Sequence, residues 1–138
     1  MGQTFSLPYR QDIGRDFDGL RIQATPKVNA RFFYVKFFGA KSDQDASFEF
    51  CASFKFSFEE KKTVCSIKKS NSFFKNNVKD IYSFPFKIST EFQMKFKRKN
   101  DRKLQVFVNG TEYFTYDIEM GISSFNAYEV GGDLENGY

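Results

Sequence analysis

Lys103-Leu-Gln-Val-Phe-Val-Asn-Gly-Thr-Glu-Tyr-Phe-Thr-Tyr116 is the stretch on which the fold turns. Leu104, Val106 and Val108 alternate with Gln105 and Phe107, the period-2 pattern of a strand with one buried face. Asn109-Gly110 then supplies the positive φ that a tight hairpin needs, at little steric cost. A two-residue loop pairs Leu104 with Thr115 and leaves Phe114 and Tyr116 on the opposite face. An odd-length loop, Val108-Asn109-Gly110 in a type I turn with Gly110 left-handed, puts Leu104, Val106, Phe114 and Tyr116 together. A one-residue slip flips every side chain, so burial selects the odd loop. The centre of the chain is therefore expected to be all-β.

The flanking segments repeat the alternation. Leu20 to Ala24 reads as a strand ended by Thr25-Pro26. Arg31 to Phe38 sets Phe33, Val35 and Phe37 on one side and Phe32, Tyr34 and Phe38 on the other, so both of its faces are expected to be covered. Phe48 to Phe58 alternates most cleanly. Phe48, Phe50, Ala52, Phe54, Phe56 and Phe58 point one way, and Glu49, Cys51, Ser53, Lys55 and Ser57 the other. After a charged turn at Glu59–Lys62, Thr63 to Ile67 returns antiparallel. Pairing Phe58 with Thr63 sets Cys51 opposite Ser70, so a Cys51–Cys65 bridge is not implied. Lys68 to Asp80 is polar and basic apart from Phe73-Phe74. Phe84-Pro85-Phe86 leads to a strand carrying Phe92, Met94 and Phe96, Ile118 to Gly121 is a linker, and Phe125 to Val130 is a final strand. No helical period lasts three turns, and many short strands with turns between them argue a two-sheet antiparallel sandwich.

The 138 residues fit one domain, 1–138, with 1–18 as a peripheral N-terminal segment and 135–138 as a short polar tail. Twenty Phe and seven Tyr with no Trp favour pleated, half-buried surfaces. Histidine is absent, which removes the commonest general base and the commonest neutral metal ligand. Ser-His-Asp and Cys-His chemistry are excluded, no catalytic residue, cofactor or metal site is expected, and no carboxylate pair has a nucleophile or orienting partner beside it. Two cysteines, Cys51 and Cys65, are too few for a disulfide-dense secreted module and fit reduced thiols in the cytoplasm. No stretch reaches the roughly 20 apolar residues of a membrane span. No basic and apolar leader is read at the N-terminus. Met1-Gly2-Gln-Thr-Phe-Ser6 matches the loose pattern for myristoylation of Gly2, a reversible membrane attachment if used. Lys95-Phe-Lys-Arg-Lys-Asn-Asp-Arg-Lys103 is strongly basic, but it brackets a hairpin turn where charge guards a sheet edge, so no nucleic acid is expected.

The order of segments resembles the galectin domain over most of the chain, from about Tyr9 to Leu134. Phe84-Pro85-Phe86 with Phe92 is similar to the family's Phe-Pro-Phe and the strand after it. Leu104-Gln-Val-Phe-Val-Asn-Gly110 is similar to its hydrophobic-x-Val-x-Val-Asn-Gly hairpin. Ile122-Ser-Ser-Phe-Asn-Ala-Tyr-Glu-Val-Gly-Gly-Asp-Leu134 is similar to its closing strand. The resemblance implies an all-β, galectin-like jelly-roll β-sandwich of two antiparallel sheets, about eleven strands, with a β-galactoside held on one sheet. It implies a lectin and not an enzyme, a glycan or glycoprotein partner, and pairing of two copies through terminal edge strands near Phe5–Tyr9 and Phe125–Val130. It also implies cytoplasmic residence, with export that uses no signal peptide.

The sugar-binding signature departs from the family. Its His-x-Asn-Pro-Arg falls on Glu49, Cys51 and Ser53 or on Cys51, Ser53 and Lys55, depending on loop length. Its second asparagine falls on Ser66, its stacking tryptophan on Phe73, and the Glu beyond near Asn76. Losing roughly three to five polar partners, at about 1–1.5 kcal/mol each, would cancel an ordinary weak lectin affinity. The candidate carbohydrate site is Glu49, Cys51, Ser53, Lys55, Ser66, Phe73 and Asn76, with altered or weakened β-galactoside specificity. Glu49 and Lys55 would orient hydroxyls and Phe73 would stack on a sugar. The alternative is a galectin-fold protein-interaction module with no sugar site. Cys51 is expected to be at least partly solvent-accessible on the ligand face, and Cys65 to point into the core.

Overall fold

Alternating side chains become two antiparallel sheets whose apolar faces meet. The computed structural model describes residues 9–13, 17–39, 50–69, 75–119 and 121–135. The strands are β1 (Tyr9–Asp12), β2 (Gly19–Pro26), β3 (Phe32–Gly39), β4 (Phe50–Ser57), β5 (Lys62–Lys69), β6 (Lys75–Ile81), β7 (Phe92–Asn100), β8 (Lys103–Val108), β9 (Thr111–Asp117), β10 (Ala127–Gly132) and β11 (Leu134–Glu135), with a 3-10 turn at Ile122–Ser124. One sheet runs β1-β10-β3-β4-β5-β6, the other β11-β2-β7-β8-β9.

Between the sheets the core is built on phenylalanine. The Phe33 ring stacks on Phe56 at 4.5 Å and reaches Phe92 of the opposite sheet at 5.1 Å. Phe54 meets Phe96 at 5.4 Å and Tyr116 at 5.5 Å. Offset and edge-on ring pairs add to the area they bury. Phe84-Pro85-Phe86 closes one end, with Phe86 buried against Phe33 and Phe92.

The β8–β9 hairpin puts Leu104, Val106, Phe114 and Tyr116 on the core face, but not through an odd loop. Val108 pairs with Thr111, and Asn109 and Gly110 have φ of 51° and 82°, a two-residue turn with both residues left-handed. Parity is restored two residues later, where the register shifts between Val106↔Phe114 and Phe107↔Glu112. Tyr113 is thus the extra residue of a bulge. The two-residue turn suits the twist of the strands, and the bulge aims the Tyr113 hydroxyl at fixed partners. That hydroxyl donates to the Ser83 carbonyl at 2.5 Å, so the buried Thr63 hydroxyl donates to it at 2.6 Å.

Other expectations shift as well. The β4–β5 turn spans Phe58–Lys61, pairing Ser57 with Lys62 and Cys51 with Lys68, one residue from the expected register on each strand and with the same parity. The segment from Phe125 is not the last strand, because β11 follows and buries Leu134 beside β2. Nor is it an edge, since β10 pairs with β1 on one side and β3 on the other. Of the two segments expected to join copies of the chain, only the N-terminal one borders its sheet, and Phe5–Pro8 lie outside the described residues. β6 had no sequence signal, because Lys75-Asn-Asn-Val-Lys-Asp-Ile81 does not alternate.

Candidate functional site

The outward face of the six-stranded sheet gathers side chains from four strands into cross-strand rows. Glu129, Lys36, Ser53 and Ser66 lie side by side on β10, β3, β4 and β5, and Gly131, Tyr34, Lys55 and Val64 form the next row. Side chains directly opposite on neighbouring strands stand about 4.5–5.5 Å apart at Cβ, so each row is one contiguous surface. A groove of about 490 Å³ opens over them, with Tyr34, Lys36, Ser53, Lys55, Val64 and Ser66 in its lining.

Tyr34 organises this face. Its hydroxyl donates to Glu129 Oε2 at 2.9 Å, and its ring lies across Gly131. A Cβ at Gly131 would fall 2.3 Å from the Tyr34 hydroxyl oxygen, so the bare glycine is what lets the ring lie down. The Lys36 ammonium sits 4.7 Å from the Tyr34 ring centre, and the Lys55 ammonium 4.8 Å from that of Phe32. These contacts hold the two amines by cation–π attraction. Neither lysine forms an ion pair among the described residues, whereas Glu60 and Asp80 both reach Lys62 at 3.3 Å.

Of the residues singled out from the sequence, the structure brings Ser53, Lys55 and Ser66 together, with Ser53 directly opposite Ser66. Cys51 shares their face but is 6% exposed, closed over in a small cluster with Phe38 and Ala127. Its expected solvent accessibility is therefore corrected: Phe38 is its direct β3 neighbour and covers it. Cys65 points into the core as expected, and burial pushes its thiol up to about 12. Glu49 and Phe73 lie outside the described residues, as does the Asn76 side chain; the Asn76 backbone pairs with Ile67 in β6.

Tyr34, Lys36 and Glu129 were missed as site residues. A signal existed in the alternation of Arg31–Phe38, where Phe32 and Tyr34 fall outward. The expectation that both faces of that strand are covered holds only at Phe38; Phe32 is 36% exposed and Tyr34 half-buried, because here the face is a groove.

Two antiparallel sheets with a polar, ring-flanked groove on the six-stranded one make a jelly-roll β-sandwich of the lectin class. Residues 12–136 match the galactoside-binding lectin family, and the chain belongs to the galectins. Mouse galectin-6 is 29% identical over 134 residues, an alignment that covers 94% of this chain and 42% of the mouse protein. The chain thus spans less than half the length of that relative. Caenorhabditis elegans galectin LEC-6 superposes with a TM-score of 0.81 at 14% identity, over 97% of this chain and 89% of that one. Sheep galectin-11, solved as a complex with glycerol, gives 0.80 at 18% identity over 98% and 97%. No helix among the described residues is long and apolar enough to cross a membrane.

Proposed function

We propose that the protein is a divergent lectin that takes a saccharide in the groove of the six-stranded sheet, with altered or weakened β-galactoside specificity. The observation that carries this reading is one groove lined by Lys36, Ser53 and Ser66 in a single cross-strand row, with Lys55 two residues along from Ser53. Ser53 is half-buried and Ser66 only 3% exposed, so Ser53 and the two amines offer most of the contact. Hydroxyls and ammonium groups side by side are what a sugar's vicinal hydroxyls require, and a charged donor roughly doubles the strength of a hydrogen bond. With no histidine in the chain, the family's usual imidazole donor cannot be supplied by any rearrangement. A site that lacks such donors leaves a galactoside's hydroxyls unpaired, which discriminates against it. Tyr34 and Lys36 extend the proposed contact set. Glu49, Asn76 and the stacking role of Phe73 stay in it on the strength of sequence spacing alone.

A glycan array read for the wild type, Lys55→Ala and Phe73→Ala tests the proposal. The expected result is a glycan subset not headed by lactose, weakened about tenfold by Lys55→Ala, as loss of one charged hydrogen bond implies, and weakened severalfold by Phe73→Ala, which removes the stacking ring. Wild-type signal at background, or signal indifferent to both changes, overturns the lectin reading in favour of an interaction module without a sugar site.

A further inference from the structure

The five-stranded sheet also has an outward face, and cations gather on its β2–β7 half, with Glu112 farther along the same row beyond Phe107. Arg21 of β2 is directly opposite Lys95 of β7, and Lys97 follows two residues along on the same face. Opposite Lys97 stands Gly19, which offers no side chain. Arg21 and Lys97 are exposed and Lys95 is half-buried beside Phe107, its partner on β8. None of the three cations is in an ion pair among the described residues. The carboxylates Glu91 and Glu112 border the face and accept hydrogen bonds from Gln23, Gln105 and Thr115; they keep their charge but form no ion pair with the three cations. A groove of about 560 Å³ runs over this face, lined by Arg21, Gln23, Gln93, Lys95, Lys97 and Phe107.

Like charges directly opposite in a ladder are destabilising, so Arg21 against Lys95 works against the fold unless an anion lies between them. The edge-guarding explanation of the basic run Lys95–Lys103 does not hold, because β7 lies between β2 and β8, and β8 between β7 and β9. Arg98 leaves the run for a structural task, donating to Asp101 at 2.6 Å and to the Phe17 carbonyl. Lys95 and Lys97 are left on the outward face, where β2 adds Arg21.

We propose that this face is a second binding surface, independent of the groove on the other sheet, for a linear sulfated polysaccharide. Arg21 and Lys95 stand about 5 Å apart at Cβ and Lys95 and Lys97 about 6.7 Å apart along the strand. Sulfate groups spaced along a stiff chain can bridge such a row. Gln23 and Gln93 are placed to meet hydroxyls between the sulfates. A single-stranded nucleic acid is disfavoured, since it needs several aromatic platforms and this groove has one half-buried ring, Phe107.

The test is binding of a heparin octasaccharide, its desulfated counterpart and a single-stranded oligonucleotide of equal charge, measured across salt concentrations. Four proteins are compared: the wild type, the triple variant Arg21→Gln/Lys95→Gln/Lys97→Gln, the charge control Lys27→Gln/Lys61→Gln/Lys87→Gln, and the groove variant Lys36→Ala/Lys55→Ala. The expected result is that only the sulfated sugar binds, and that the triple variant weakens it at least tenfold. The log–log salt slope should fall by about 3, one per cation removed. The charge control and the groove variant should bind as the wild type does. Removing the Arg21–Lys95 repulsion should leave the melting temperature unchanged or raised, which separates lost binding from lost folding. Equal losses in triple variant and charge control, loss in the groove variant alone, equal binding of the oligonucleotide or desulfated sugar, or no binding at all would each overturn the proposal. The glycan array read with Lys55→Ala and Phe73→Ala stands or falls separately.

Discussion

Cys51 and Cys65 show how much one neighbouring side chain decides. Strict alternation places Cys51 outward, and the family resemblance, by setting Ser66 outward, places Cys65 inward; yet Cys51 is 6% exposed and Cys65 wholly buried. Phe38, on the strand beside it, lies over Cys51 with Ala127 to complete the cover. Both thiols should therefore react far more slowly with a thiol reagent than they do in unfolded chain, with Cys51 ahead of Cys65. Phe38→Ala should speed labelling of Cys51 severalfold and leave Cys65 unchanged, as mass spectrometry of the labelled protein would read. The change should cost about 2–3 kcal/mol, less than the 3–5 of a Phe set deep in a core, because the cluster is small and near the surface. Equal acceleration at both thiols would mean global loosening and would sink the local explanation. Parity in the sequence can say which way a thiol points, but what lies on top of it belongs to a strand elsewhere in the chain.

At the scale of elements, the β8–β9 hairpin and its turn show two solutions to one parity problem. The core needs Leu104, Val106, Phe114 and Tyr116 on one face, and either an odd loop or a bulge achieves that. The bulge wins because Tyr113 has distant partners in Thr63 and Ser83. The turn itself is tied to a third strand. Asn109 accepts the Gln93 N–H at 2.9 Å through its side chain, and its own N–H donates to the Gln93 carbonyl at 2.7 Å. Asn109→Ala removes the first of these and places an alanine at φ 51°. The expected loss is about 2–3 kcal/mol, from 1–2 for the left-handed residue and about 1 for the hydrogen bond. Urea denaturation checks this, and a change under 0.5 kcal/mol would show that the turn is held by its ends alone. The two sheets are stitched at their shared border in a similar way. Tyr116 donates to the Asn77 carbonyl at 2.7 Å, Asn77 Nδ2 donates to the Asp117 carbonyl, and Lys79 donates to the Thr115 carbonyl. These bonds occupy carbonyls along β9 that would otherwise be open to another chain.

For the whole molecule, alkaline pH is the sensitive variable. Burial pushes the Cys65 thiol up to about 12, while in unfolded chain it ionises near its ordinary value of about 8.5. The folded protein thus keeps a proton that the unfolded chain releases. Its contribution to stability is complete below about pH 8.5 and is lost as pH rises toward 12. Tyr116 and Tyr113, both raised by burial, act in the same direction at higher pH. The melting temperature should fall steadily above pH 9, and Cys65→Ala should flatten the fall between pH 9 and 10, before the tyrosines contribute. An unchanged slope in that variant would remove Cys65 as the cause. Local alternation sufficed to establish the β-sandwich, the inward set of phenylalanines and the outward placing of Ser53 and Lys55, since a period of two is a property of neighbours along the chain, whereas the outward placing of Ser66 rested on the resemblance to the family. No such signal announced β6, the bulge at Tyr113, the cover over Cys51, or the place of β10 inside its sheet. Tyr34 finds Glu129 and Gly131, and Arg21 faces Lys95, across gaps that only the sheet order closes. Which strand lies beside which is settled by the burial and hydrogen bonding of all strands together, so the groove and the basic face are products of the tertiary structure.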